Sequence, residues 1–390
     1  MRDVYIIGVG MTKFGKFRDI NVIDLGRIAC WEAIKDCNID PKEIEVGYCG
    51  HARTGMLHGR ECGVGQSILA ELGIGGIPIT SVGNFCASGS SAFREAWLAV
   101  GSEMYEVAIA IGVEQLSKRK TTGQPLTPDG LELQAEMGFT APAFYAQAAF
   151  KHMELYGTTL EQLAKVSVKN RKNACLNPRA QYQKEVTVEE VLNSKMIVEP
   201  LTLLSCCPTG DGGAAAILCS EKIAKKYPEK AVKICVAGLA SGSAFSKDSE
   251  CTTVDVVVNL AKEAYEYAGI GPEDLDVAEV HDCFNIAEIM HYEDLGLCEK
   301  GQGGKIIEEG KTEIGGIIPI NTSGGLISKG HPLGATGIAQ VAEITWQLRG
   351  EAGKRQLENA KVGLAECGGG FQERLVLGDI QSFTIIILSK

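Results

Sequence analysis

The chain has 390 residues, 45% of them hydrophobic and 22% charged, with a formal net charge of −11. That length holds two core-forming domains or one large fused one. The acidic balance excludes sequence-independent nucleic-acid binding, and no apolar run reaches membrane-spanning length. An anionic substrate must therefore be met by local basic groups, helix N-termini or a partner.

Val4-Tyr-Ile-Ile-Gly-Val-Gly10 is too short for a signal peptide and reads as the end of a first strand, Asp3 to Gly10. Fourteen cysteines are scattered without a CxxC pair or zinc-ligand spacing. That usage implies a reducing, cytoplasmic setting and argues against a structural metal. Asn21 to Asp36 is patterned as an amphipathic helix. Asn38 to Val46 reads as a turn, a short helical start and the lead into another strand. Ile77 to Val82 is a short β-type run, and Ser91 to Val100 an Ala-rich run suited to a helix. Glu106 to Glu114 is a buried strand. This alternation predicts a layered α/β fold.

Cys86 sits where the Ile77–Val82 strand turns into the helix. Gly83, Ala87, Ser88, Gly89, Ser90 and Ser91 around it allow a sharp turn and close approach of a substrate. A thiol at a helix start faces unsatisfied N–H groups, which favour the nucleophilic thiolate. Leu116 to Pro200 is a polar, helical insertion with the basic run Lys118-Arg119-Lys120 and helical stretches at Glu132–Lys151 and Thr158–Asn173. Such excursions form lids or substrate-binding subdomains. Ser205 to Leu218 then runs from a Gly/Ala-rich turn into a buried strand, with Cys206 and Cys207 read as structural.

The second part of the chain repeats the first. Ala33, Pro41 and Val46 match Ala264, Pro272 and Val277 on one offset without a gap. Glu106 to Glu114 corresponds to Ala360 to Cys367, and Val82 to Val100 to the stretch from Pro319 to Leu348. Two copies of a βαβαβ-type unit are expected, with a site between them. Three second-copy stretches stand at predicted strand ends: His281-Asp282-Cys283-Phe284-Asn285, Asn321 to Gly337 with His331 in a glycine-bearing loop, and Glu366 to Phe371. Of six histidines, only His281 and His331 lie in such settings, and His51, His58, His152 and His291 read as structural.

Four blocks, Asn84-Phe-Cys-Ala-Ser-Gly89, His281-Asp-Cys-Phe284, Gly330-His-Pro-Leu-Gly-Ala-Thr-Gly337 and Cys367-Gly-Gly-Gly370, resemble the thiolase superfamily in order and spacing over essentially the whole chain. The His-Asp-Cys-Phe block resembles its sterol-carrier-protein-like and archaeal branch, because other thiolases carry an Asn-containing motif there. The resemblance implies a thiolase fold, with duplicated halves in a five-layer α/β/α/β/α core and an inserted helical loop domain. Its expected boundaries are 1–115 with 201–245, 116–200, and 246–390. It implies an acyltransferase condensing two acetyl-CoA to acetoacetyl-CoA and CoA, feeding mevalonate and isoprenoid synthesis. Degradative cleavage of longer 3-ketoacyl-CoA and a non-catalytic scaffold are the alternatives.

By the same resemblance, Cys86 attacks the thioester, His331 activates it, and His281 completes an oxyanion hole for the enolate. The backbone N–H groups of Cys86 and Gly369 form a second hole. The α-proton base is Cys283 or Cys367, the branch favouring Cys283. Aligning the triple glycine instead puts Glu366 at that position. Asp282 is read as turned away from the site. No permanent cofactor is implied, coenzyme A being substrate and product. Pantetheine is expected at the insertion and at an Ala237–Ser243 turn; Lys118, Arg119 and Lys120 read either as phosphate contacts or as a solvated face, so no CoA-binding residue is assigned. A homodimer or homotetramer is implied, as is a complex with a hydroxymethylglutaryl-CoA synthase and a small zinc-ribbon/OB-fold protein.

Overall fold

Asn21 caps the first long helix, Val22–Cys37, by accepting from Ile23 and Asp24 while Asp24 reaches back to the Asn21 N–H. Small residues on its inner face let it lie flat on a sheet. Gly8 and Gly10 are needed below it, because a Cβ on either would come within 2.4 Å of the Ala33 or Ala29 carbonyl. The computed structural model to which these elements belong describes residues 1–118, 140–242, 251–370 and 380–390.

The strands are β1 (Val4–Met11), β2 (Val46–Gly50), β3 (Ile79–Val82), β4 (Val107–Gln115), β5 (Met196–Val198), β6 (Leu201–Thr202), β7 (Asp211–Ser220), β8 (Val232–Ala240), β9 (Val277–Glu279), β10 (Val362–Gly369) and β11 (Ser382–Ser389). Nine form one mixed sheet in the order β3-β2-β4-β7-β1-β8-β11-β10-β9, and β5 and β6 pair separately. Among the described residues, the two halves of the sheet join where Val4, Tyr5 and Ile6 of β1 pair with Ile234, Lys233 and Val232 of β8.

The Val22–Cys37 helix covers the outer face of β1, β4 and β7. The Asp255–Ala268 helix covers β8 and β11. Two central helices, Ser88–Gly101 and Leu333–Arg349, pack between the half-sheets in one shared core. Every residue from Leu333 to Leu348 is buried, as expected of a helix covered all round. The result is the anticipated α/β/α/β/α layering. The repeat is visible too: the short Pro41–Glu43 and Pro272–Asp274 turns precede β2 and β9 at the offset read from sequence. In the second half β8 takes the place that β1 has in the first.

Two sequence expectations change at their edges. Gly368 and Gly369 are not a turn after the strand but the end of β10 itself, paired with Phe383 and Ser382. Glycine is required because a Cβ on Gly369 would lie 2.3 Å from the Asn84 carbonyl. Ala237–Ala240 likewise belongs to β8 and is no turn, and Ser243 lies outside the described residues. The insertion holds the Ala141–Tyr156 and Leu160–Cys175 helices. The second is a buried buttress. Its Lys169 pairs with Glu288 and donates to the Ile320 carbonyl at 2.9 Å, and its Asn170 bonds Asp282 at 2.8 Å and Glu288 at 2.6 Å.

Candidate active site

Both central helices begin at the same place. Gly89 and Gly334 meet there: a Cβ on Gly89 would sit 2.4 Å from the Gly334 carbonyl, and one on Gly337 would sit 2.5 Å from the Ser90 Cβ. Without side chains at these points the helix starts converge. Cys86, in the short Phe85–Ala87 turn ahead of one helix, thereby faces His331, just ahead of the other. Phe85 has φ 48°, a left-handed conformation that favours glycine and strains a bulky residue.

The His331 loop is held from below. It carries left-handed Asn321, Gly324, Gly325 and Gly330 and a wide π-type turn over Gly325–Lys329. Asp282 receives the Leu326 N–H at 2.6 Å and the Ile327 N–H at 3.3 Å, and a Cβ on Gly325 would strike its carboxyl. Asp282 therefore does point away from the reacting groups, as expected, and positions the loop. Thr336 donates to the Pro332 carbonyl at 3.0 Å, so its oxygen accepts from His331 Nδ1 at 2.7 Å. That leaves Nε2 of a neutral imidazole as an acceptor.

The ligating atoms of Cys86, His281 and His331 all lie within 4.8 Å of one another. The two imidazole rings meet edge to face, their centroids 5.2 Å apart. Burial holds His281 down to about 3 and His331 well below its ordinary value, so both are neutral near pH 7. The dipole-stabilised thiolate expected from sequence is corrected here. Burial pushes the Cys86 thiol up to about 12, and nearby Arg53 offsets this only in part. His281 and His331 are the neutral imidazoles beside this thiol.

Both candidate base thiols are at the site. Cys367 Sγ donates to the Cys86 carbonyl at 3.3 Å and lies 3.5 Å from His281 Nδ1. Cys283 accepts a hydrogen bond from the Tyr145 hydroxyl and is electrostatically linked to Cys86. Desolvation raises both thiols. Glu366, the third candidate, faces elsewhere. Adjacent strand residues point to opposite faces, and its carboxyl takes the His281 N–H at 2.9 Å with His291 Nδ1 3.4 Å away. Burial pushes the Glu366 carboxyl well above the usual carboxylate range. A Cβ on Gly369 would lie 3.0 Å from the Cys86 N, so β10 brings its end against the nucleophile's backbone.

Tyr145 and Arg53 are not singled out by the sequence, and Cys207 is read there as structural. Tyr145 comes from the insertion, where helical patterning hides which face turns inward. Cys207 donates its N–H to the Cys283 carbonyl at 3.0 Å, and its thiol interacts with those of Cys283 and Cys86. Cys206 donates to the Thr202 carbonyl at 3.3 Å. Among the other histidines, His58 bonds the Gln115 carbonyl at 2.9 Å and His152 bonds Thr158 at 2.7 Å. Lys118 donates to the Ile20 carbonyl at 3.1 Å, while Arg119 and Lys120 lie outside the described residues.

The chain matches the family description "Thiolase, N-terminal domain" over residues 4–222 and "Thiolase C-terminal domain-like" over residues 237–377. It belongs to the thiolase family. It is similar to the acetyl-CoA acetyltransferase of Methanothermobacter thermautotrophicus, at 45% identity over 95% of this chain and 97% of that one. It is also similar to sterol carrier protein 2 of Bos taurus, at 41% identity over 93% of this chain and 69% of that protein. Among solved structures, the Ltp2-ChsH2(DUF35) aldolase superposes with a TM-score of 0.83 at 28% identity, covering 98% of this chain and 97% of that one. The thiolase is an acyltransferase of the type that acts on CoA thioesters. No helix among its described residues is long and apolar enough to cross a membrane.

Proposed function

We propose that this thiolase is an acetyl-CoA C-acetyltransferase, joining two acetyl-CoA into acetoacetyl-CoA and CoA. The observation that carries the reading is the convergence of Cys86, His281 and His331 at the starts of the central helices and the end of β9. His331 Nε2 takes the Cys86 proton, and the thiolate attacks the first thioester. The Cys86 and Gly369 N–H groups hold the tetrahedral oxyanion, and CoA leaves. The second acetyl-CoA binds with its carbonyl oxygen toward His281 and His331. Cys283, prepared by the Tyr145 hydroxyl, removes the α-proton, the carbanion attacks the acetyl-cysteine, and its C–S bond breaks, releasing acetoacetyl-CoA and a Cys86 thiolate that regains its proton from His331. Cys367 is the second candidate base, favoured by its contact with His281.

In this reading 1–115 with 201–245 and 246–390 are the two halves, and 116–200 is the loop domain over the pantetheine. The similarity to the archaeal acetyltransferase supports acetyl-CoA as substrate and a place ahead of isoprenoid synthesis. The likeness to an assembly named with a DUF35 partner supports a companion protein, alongside a hydroxymethylglutaryl-CoA synthase and self-association as a dimer or tetramer. A cytoplasmic location accords with the free cysteines.

Acetoacetyl-CoA formation by wild type, Cys283→Ala and Cys367→Ala tests the roles. Cys283→Ala is expected to keep acetylation of Cys86 while losing about 10²–10⁴-fold in condensation. The same pattern in Cys367→Ala alone would move the base to Cys367. Faster thiolytic cleavage of long-chain than of four-carbon 3-ketoacyl-CoA would favour the degradative alternative.

A further inference from the structure

We infer that Cys86, His281 and His331 form a three-ligand site for a zinc-class divalent cation, which competes with the acyl thioester for the nucleophile. The three donor atoms already lie within 4.8 Å of one another. Zinc bonds of about 2.3 Å to sulfur and about 2.0 Å to imidazole nitrogen need only a small further closure. Cys86 is half-buried, whereas His281 and His331 are buried. The fourth tetrahedral position is left to water.

The donor set fixes the class of ion. One thiolate with two imidazoles suits zinc, cobalt or nickel and gives magnesium or calcium nothing to prefer. The outer contacts are those of a metal site. His331 holds Nδ1 on Thr336 and His281 holds Nδ1 beside Cys367, leaving each Nε2 as ligand. The backbones are fixed as well, His281 by Glu366 and the His331 loop by Asp282. When the sulfur–metal bond forms, the Cys86 S–H bond breaks and its proton passes to solvent. The cation then occupies the electron pair that would attack a thioester. Competition with acyl transfer rests on the thiolase reading, whereas cation binding does not.

Anaerobic titration of the full chain with Co²⁺ reads the site directly, through thiolate-to-metal charge transfer and tetrahedral d–d absorption. Wild type and Cys62→Ser, which alters an exposed cysteine far from the blocks above, are expected to show the same absorption. Cys86→Ala loses the charge-transfer band, and His281→Ala weakens binding by about 10–100-fold. Far-UV circular dichroism confirms that the variants fold. Acetylation of Cys86 before titration, with no substitution at all, is expected to abolish the band. An unchanged spectrum in Cys86→Ala, or no tetrahedral absorption in wild type, overturns the site. Zn²⁺ is further expected to inhibit acyl transfer competitively with acetyl-CoA and reversibly with chelator. A cobalt spectrum without zinc inhibition overturns the competition. Absence of acyl transfer in metal-free protein would instead count against the thiolase reading and leave the cobalt result standing.

Discussion

At the scale of single residues, the thiol at position 86 is reactive only with help. Its own environment holds it protonated, up to about 12, and the proposed acceptor is a neutral His331. Alkylation of Cys86 by iodoacetamide, followed by peptide mass, is therefore expected to rise about tenfold per pH unit from pH 7 to 10 without a plateau. A plateau near neutrality would reveal a preformed thiolate. Thr336→Val removes the acceptor that fixes His331 Nδ1. It is expected to lower kcat by about 10–100-fold with little change in KM, since it disturbs a proton position rather than substrate binding. Cys86 and His331 were legible in the sequence because each stands in a dense run of small residues. The sequence leaves open whether Cys367 or Glu366 faces the site, because a string of glycines carries no register, and pairing with β11 decides which neighbour faces the thiol.

At the scale of elements, the starts of the two central helices set the distance between nucleophile and base. Gly334 lies against the Val113 carbonyl, the His51 Cα and the Gly50 carbonyl, where an added Cβ would sit at 2.5, 2.8 and 2.9 Å. Gly334→Ala is expected to cost about 1–3 kcal/mol in urea unfolding, the usual penalty of overpacking. Acetylation should fall further than stability does, because the helix starts are pushed apart. The loop before His331 has a similar anchor in Asp282. Asp282→Ala leaves the Leu326 and Ile327 N–H groups buried without an acceptor, a loss of about 1–3 kcal/mol for each. The periodicity of the strands and outer helices made these elements readable. The extension of β10 through Gly369 was not, since glycine signals a turn unless the close neighbour that demands it is known.

At the scale of the whole molecule, the duplicated halves meet through the three residue pairs of β1 and β8 and through the shared core of the central helices. The insertion is bound to the second half by Lys169, Asn170 and Asn173, which reach Glu288, Asp282 and the Asn321 carbonyl. Replacing Lys169 by Met leaves Glu288 as a buried charge short of its cation. This is expected to cost about 3–5 kcal/mol and to lower one cooperative transition rather than to detach a lid. The repeat itself was legible from a gapless offset of apolar, proline and alanine positions. The buried polar ties of the insertion were not, because Lys and Asn on a helix read as a solvated face until a partner covers them.

The account stands on Cys86 as the residue that carries the acyl group. Intact mass after brief exposure to acetyl-CoA, for wild type and Cys86→Ala, measures this directly. The expected result is a single acetyl adduct on wild type, absent from Cys86→Ala and retained in Cys283→Ala and Cys367→Ala. An adduct that persists in Cys86→Ala, or a wild type that stays unacetylated while still forming acetoacetyl-CoA, would contradict it.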